Sequence, residues 1–312
     1  MLQKQHFTSS KDVITNFCHN KLIVQPDSAL FCVVSKVAVN FWRVLNQVRN
    51  FPPERIICLT EETVETLYLL GEQDRIVGVT GYAVRPPEVR KEKKRVAAFT
   101  SAKIDKIISL KPDLVLAFSD LQAEIAAELI KNGIAVMTYN QRDIAGILAM
   151  IRHLGATVGV GEKAEELASY HEKRLLDLRS QKKAVVQPQV YFEEWDSPMI
   201  TGIKWVSELI EIAGGVDVFS GLSSNEAATD RIVSSQQVIR AAPDIIVASW
   251  CGKKVRRGIF KDRDGWSVVP AVKNNCIYEI KSSLILQPGP AALTGGLDEL
   301  VKILSTVDIP KS

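Results

Sequence analysis

No CxxC pair, no clustered histidines and no glycine-rich nucleotide loop occur in this chain. The five cysteines, Cys18, Cys32, Cys58, Cys251 and Cys276, are odd in number and far apart, so neither a redox pair nor a disulfide framework follows. The four histidines, His6, His19, His153 and His171, are equally scattered, which argues against a metal site. His153 and His171 fall in charged helical segments and read as surface residues. The chain has no GxGxxG, P-loop or GxSxG elbow. The glycines of VGVGEK (158–163) have no buried strand leading into them and read as a connector. The acidic pairs Glu61-Glu62, Glu165-Glu166 and Glu193-Glu194 are expected mostly on solvent faces, so no acid/base dyad and no catalytic residue stands out. Basic and acidic residues number 39 and 36, a net charge of +3 with the signs interspersed. The one local basic cluster, Lys91, Lys93, Lys94 and Arg95, is broken by Glu92 and reads as a solvated loop, so no nucleic-acid partner is expected. MLQKQHFTSSKDVITNF is polar, and the apolar stretch 29–42 contains Lys36 and is short for a bilayer span, so no signal peptide or lipobox is visible.

What is present is the composition of a globular protein, with 46% hydrophobic and 24% charged residues over 312 positions, enough for two ordinary domains or one large one. From Glu54 onward, apolar strands alternate with helices. RIICL (55–59), DRIVGVT (74–80), LVLAF (114–118) and IAVMTY (134–139) read as strands. EETVETLYLLG (61–71), SAKIDKIISLKPD, AEIAAELIKNG (123–133) and RDIAGILAMIRHLG (142–155) read as helices. In the short helix, Ser101 is the expected N-cap and Ile104, Ile107 and Ile108 the buried face. Such alternation implies a parallel sheet covered by helices. Residues 162–183 then contain no Gly or Pro and carry Ala164, Leu167, Ala168, His171, Leu175 and Leu178 on one stripe. A helix of that length would run about 33 Å and could bridge two lobes. Alternation restarts with QVYFEEW (189–195), WVSELIEIAGG (205–215), SSQQVIRAAPD, IIVASW and NNCIYEI (274–280), and PAALTGGLDELVKILS (290–305) forms a last helix weakened by Gly295-Gly296.

One unit is written twice. LKPDLVLAF (110–118) is echoed by AAPDIIVAS (241–249), the two Asp residues standing 131 positions apart. In each case proline stops a helix, and the following Asp can bond nearby backbone before a buried strand begins. The repeat marks equivalent units in two similar α/β lobes, although one sheet with several βα units would also write it. The expected division is an N-terminal extension (1–53), a first lobe (54–157), a connecting helix (158–184) and a second lobe (185–312). Aromatics fall at the strand ends that would face an interlobe cleft: Tyr82, Phe99, Phe118, Trp195 and Trp250. Together they suit a large, flat ligand held by stacking. Trp205 and Trp266 read as packing.

RIICLTEETVETLYLLGEQDRIVGVTGYAVRPPEVR, IDKIISLKPDLVLAF, TGIKWVSELIEIAGGVDVF and VSSQQVIRAAPDIIVAS resemble the substrate-binding proteins of ABC importers for cobalamin and iron complexes, most closely the cobalamin-binding branch. The resemblance spans about residues 54–305. It implies two α/β lobes with parallel-type sheets joined by one backbone helix, the class III architecture, and a monomer that binds and does not catalyse. It further implies a corrinoid, or alternatively an iron siderophore or haem, in the cleft, no metal or cofactor of the protein's own, and delivery to a permease and its ATPase. Tyr82, Phe99, Phe118 and Trp195 match aromatic ligand contacts of that branch; the segment Asn225–Arg231 lacks a tryptophan that some members carry. Siderophore carboxylates would call on cleft arginines, for which Arg85 and Arg231 are the candidates. The family docks on its permease through one acid per lobe. Asp105 matches the first, but Gln236 stands at the second. The resemblance places the protein outside the cytoplasm; the missing export signal leaves a non-exported corrinoid-binding module as the alternative. A cofactor-using α/β enzyme would need cysteine ligands or a nucleotide loop, and a scaffold that has lost its ligand has only Gln236 in its favour.

Overall fold

The computed structural model describes residues 51–181 and 186–306. Most of the expected extension, residues 1–50, and the end of the expected connecting segment, Lys182 to Ala184, lie outside the described residues.

The first sheet is built from β1 (Ile56–Cys58), β2 (Ile76–Thr80), β3 (Arg95–Ala97), β4 (Leu114–Phe118) and β5 (Val136–Tyr139), in the order β3-β2-β1-β4-β5 and parallel throughout. β1 and β4 are buried along their whole length, as short apolar runs between two helical layers must be. The second sheet has β6 (Gln189–Asp196), β7 (Met199–Thr201), β8 (Val216–Asp217), β9 (Ile245–Ala248) and β10 (Ile277–Glu279), ordered β10-β9-β6-β7 with β8 also on β6. All its pairs are parallel except the β6–β7 hairpin. Strand order reverses between β1 and β4 in one sheet and between β6 and β9 in the other, and such switch points open a crevice at the carboxyl ends of the strands.

The main helices are α1 (Glu61–Leu69), α2 (Ile104–Ser109), α3 (Ala123–Lys131), α4 (Ile144–Thr157), α5 (Gly161–Ser180), α6 (Lys204–Ile212), α7 (Ser235–Ala241) and α8 (Leu297–Ser305). The connecting helix α5 is 20 residues long, about 30 Å, and folds back on α4 through a turn in which Gly159 has φ +82°. The two helices approach so closely that a Cβ on Gly155 would come within 2.1 Å of the Ala164 Cβ. A π-helical stretch at Ala292–Gly296 precedes α8, where the double glycine weakens the α-helix. Among the described residues no helix is long and apolar enough to cross a membrane.

One apolar core joins the lobes. It contains Ile56, Leu116 and Phe118 of the first sheet, Ile147, Leu154, Ala164 and Ala168 of the helical hairpin, Val190 and Phe192 of the second sheet, and Val206 and Leu300. Separate clusters cover the outer faces of the two sheets. Because that core is shared, and because polar contacts reinforce it, the lobes meet over a broad seam as well as through α5. Lys204 Nζ lies 2.8 Å from Asp143 Oδ2, Ile144 N donates to Glu208 Oε2, Trp205 N donates to Arg142 O, and Gln141 Nε2 donates to Pro288 O.

Several local expectations need correction. α2 starts at Ile104 with Lys103 as its N-cap, because Ala102 pairs with Ala97 and pulls Ser101 out of capping position. Ile107 is buried but Ile108 is exposed, since a helix of under two turns presents too narrow a face for all three isoleucines. His171 is buried on the α5 stripe with Ala164, Ala168 and Leu175, both ring nitrogens unpartnered; burial, helped by the charge of Arg174, pulls its pKa down to about 4. Its heptad-like spacing from alanine outweighed the polarity of its neighbours.

The duplicated Pro-Asp units perform the same task in each lobe, at longer range than their sequence suggests. Asp113 accepts from the backbone of Glu54 and Arg55 at 2.8 and 3.0 Å, just before β1. Asp244 accepts from Gln189 N at 2.8 Å, at the start of β6. In both halves the residue preceding proline is left-handed, Lys111 at φ 49° and Ala242 at φ 45°. Each Asp thus clamps the strand next to its own at the switch point.

Candidate ligand cleft

The carboxyl ends of β1, β3 and β4 are tied together by one buried side chain. Gln122 accepts from Phe118 N at 3.0 Å and donates to Leu59 O at 3.3 Å and Phe99 O at 2.8 Å. With both ends of its amide committed, it fixes the loop mouths from which Phe99 and Phe118 project. Phe118 is 5% exposed, and the Arg142 guanidinium lies 5.0 Å from its ring centroid. Arg142 also reaches Asp120 at 3.8 Å and, from the second lobe, Glu226 at 4.0 Å. Phe99 is half-buried against the shared core, while Tyr82 is 47% exposed and free to meet a ligand.

At the second switch point the anchor is Glu193, which is fully buried against the expectation of a solvent face. A strand with both faces covered has no solvent side. Its carboxylate takes two bonds from Arg263, at 2.6 and 3.0 Å, and one each from Tyr191 Oη and Trp250 Nε1, at 3.0 and 3.2 Å. Burial raises its pKa, and the bonds from Arg263 oppose that rise. The guanidinium in turn lies over Phe260 and Trp266. Trp250 is therefore a fixed wall, 1% exposed.

Trp195 and Trp250, the tryptophans placed by sequence at the cleft, come together around Lys253. Its ammonium is 5.2 Å from the Trp195 ring centroid and 4.9 Å from that of Trp250, and Asp196 Oδ2 holds it at 2.6 Å. The indole faces are occupied by a cation, so a ligand reaches them only alongside or in place of Lys253. Trp205 and Trp266 are buried, as expected for packing.

Acidic residues crowd the opposite side. Glu62, also assigned by sequence to a solvent face, is 2% exposed, because the N-terminus of α1 is covered by residues 287–291. Burial, reinforced by Glu61, lifts its pKa to about 8 despite the hydroxyl of Thr60 at 2.6 Å. Gln287 Nε2 donates to Glu61 Oε1, and Ala291 N to Glu65 Oε2. The thiol pKa of the exposed Cys251 is raised by neighbouring protein and by the charges of Glu61 and Glu194.

The two arginines singled out by sequence are already matched. Arg85 pairs with Glu65 at 2.9 Å, and Arg231, 2% exposed, pairs with Glu194 at 2.6 Å. A recess of about 460 Å³ lies instead beside Trp250, lined also by Lys253, Lys254, Arg257, Glu279, Lys281 and Ser282. Sequence reasoning missed it, although KKVRR places four basic residues within five positions, 253–257. Asp105 and Gln236 are both exposed, each in the first turn of its helix, α2 and α7. Among the described residues no cluster of metal-ligating side chains occurs.

The periplasmic binding protein family matches residues 56–284. An uncharacterized ABC transporter substrate-binding lipoprotein of Bacillus subtilis is 28% identical over 264 residues, 80% of this chain and 79% of its own length. A vitamin B12-binding protein of Vibrio cholerae is 31% identical over 252 residues, 78% of this chain and 87% of its own. The crystal structure of the periplasmic vitamin B12 binding protein of Vibrio cholerae superposes with a TM-score of 0.66 at 26% identity, covering 82% of this chain and 98% of that one.

Proposed function

The chain belongs to the periplasmic binding protein family, and we propose from that premise that it is the substrate-binding component of an ABC importer, holding a cobalamin-like corrinoid between its lobes. The observation that carries the reading is the 31% identity to a vitamin B12-binding protein across most of both chains. In this reading the exposed Tyr82 and the partly buried Phe99 of the first lobe and Trp195 of the second would stack on the macrocycle, while Phe118, 5% exposed, would support the cleft floor. The relatives are binding proteins, which supports capture and release without turnover. An extracytoplasmic setting accords with the family and with the lipoprotein relative; the non-exported alternative finds no support among them.

Closure would be modest, because the shared core and the seam polar contacts leave little freedom for a hinge. The permease would meet Asp105 on the first lobe and Gln236 on the second. With only one carboxylate, docking would rest on a single charge-assisted contact at that pair of positions. The deciding experiment is a calorimetric titration with cyanocobalamin, run beside haem and a ferric siderophore. Saturable binding of cyanocobalamin alone supports the reading. Binding of an iron complex alone keeps the family and replaces the ligand.

A further inference from the structure

The recess beside Trp250 collects more positive charge than the surrounding protein neutralises. Four cations, Lys253, Lys254, Arg257 and Lys281, line it with one carboxylate, Glu279. Lys253 is held by Asp196, and Glu279 accepts from Val255 N at 3.1 Å, which fastens the segment 252–255 to β10. Lys254, Arg257 and Lys281 have no carboxylate partner among the described residues. Elsewhere the arginines near carboxylates are paired: Arg85 with Glu65, Arg152 with Glu165 and Glu172, Arg231 with Glu194, Arg263 with Glu193.

Like charges gathered around a concavity repel within about 8 Å at physiological salt, and an apolar wall strengthens their field by excluding water. Trp250 and Ile280 provide that wall. Ser282 adds a hydroxyl. The recess lies just past the carboxyl ends of β9 and β10, on the cleft side of the second lobe, so an anion there would belong to the molecule in the cleft. At about 460 Å³ it is a subsite and not room for a whole macrocycle.

We propose that this recess binds an oxyanion, phosphate or carboxylate, borne by the ligand, so that the protein selects a corrinoid with an anionic periphery. The inference rests on the corrinoid reading for the nature of the ring, and on the cation cluster alone for the charge. Trp250 and Ile280 back the recess, and Lys254, Arg257 and Lys281 take the anion, with Lys253 released from Asp196 when the anion enters.

The test compares four probes by calorimetry: cobinamide, whose periphery is amide, cobinamide phosphate, cobyrinic acid, whose periphery is carboxylate, and inorganic phosphate. The full chain is used, with a variant combining Lys254→Ala, Arg257→Ala and Lys281→Ala. A control combining Arg90→Ala, Lys91→Ala and Lys94→Ala removes the same charge elsewhere. The expected result is about tenfold tighter binding of an anionic corrin than of cobinamide, shrinking with added salt, lost in the recess variant and kept in the control. Whichever of cobinamide phosphate and cobyrinic acid gains more identifies phosphate or carboxylate as the anion. Equal binding of all three corrins, or a preference that survives in the recess variant, overturns the proposal and leaves the corrinoid reading standing. If no corrin binds, that reading falls and inorganic phosphate decides alone: binding lost in the recess variant upholds the oxyanion site, and no binding to the parent overturns it.

Discussion

Replacing Glu62 by glutamine should remove a large part of the pH dependence of stability. The side chain is 2% exposed, and a Cβ on Gly289 of the covering segment would come within 2.5 Å of its own Cβ, which leaves no room for water. Its pKa rises from 4.5 to about 8, chiefly through burial. A carboxyl whose folded pKa lies above its unfolded one binds its proton more tightly when folded. Its contribution is therefore fully present at low pH and is lost as the pH climbs from about 4.5 to about 8. At about 1.4 kcal/mol per pH unit this amounts to an effect on the order of 5 kcal/mol. Glu62→Gln stays neutral and keeps an acceptor for the Thr60 hydroxyl. Urea unfolding followed by ellipticity at about pH 5 and about pH 9 reads the difference. Glu65, Glu193, Glu208 and Asp217, whose pKa values are also raised, are present in both proteins and cancel in the comparison, whereas Glu61, raised by burial and coupled to Glu62 by charge, titrates with it as a pair. The parent should lose several kcal/mol more than the variant between the two conditions. Equal losses would refute the assignment of a neutral buried carboxyl at the seam.

Arg263→Met strands the buried Glu193 carboxylate and should cost about 3–5 kcal/mol in urea unfolding, with Glu193→Gln in the same chain recovering much of it. Gly155→Val places a branched side chain where Ala164 already stands and should lower stability by at least about 1–3 kcal/mol, visible as a depressed Tm. Trp195→Ala should weaken cyanocobalamin binding by about 1–3 kcal/mol in calorimetry with little loss of stability. Phe118→Ala, by contrast, empties part of the shared core and should destabilise by about 3–5 kcal/mol, so its binding loss has to be read against unfolding measurements.

The alternation of apolar runs with capped helices placed seven of the ten strands of the described residues, because a parallel strand covered on both faces has to be written as a short apolar run such as LVLAF or IIVAS; β3, β7 and β8, of two or three residues each, are too short to show a pattern. The repeat of Pro-Asp was legible too, since proline and the residue before it restrict the backbone locally. Its purpose was not, because the bonds of Asp113 and Asp244 run to strands 55 or more residues away. The positions of the cleft aromatics followed from the same alternation, which puts strand ends on one edge.

Strand ends say where a side chain starts and nothing about what arrives beside it. Only the tertiary structure brought Lys253 between Trp195 and Trp250, set Arg142 over Phe118, matched Arg85 and Arg231 with carboxylates, and left Lys254, Arg257 and Lys281 without them. Glu62 and Glu193 look like solvent-facing acids in a linear pattern, yet one lies under the segment 287–291 and the other inside a strand covered on both sides. Periodicity depends on neighbours three, four or two residues away and is therefore written in the sequence. Charge pairing and burial at a cleft depend on segments from about 20 to more than 200 residues apart, and only folding decides which of them meet.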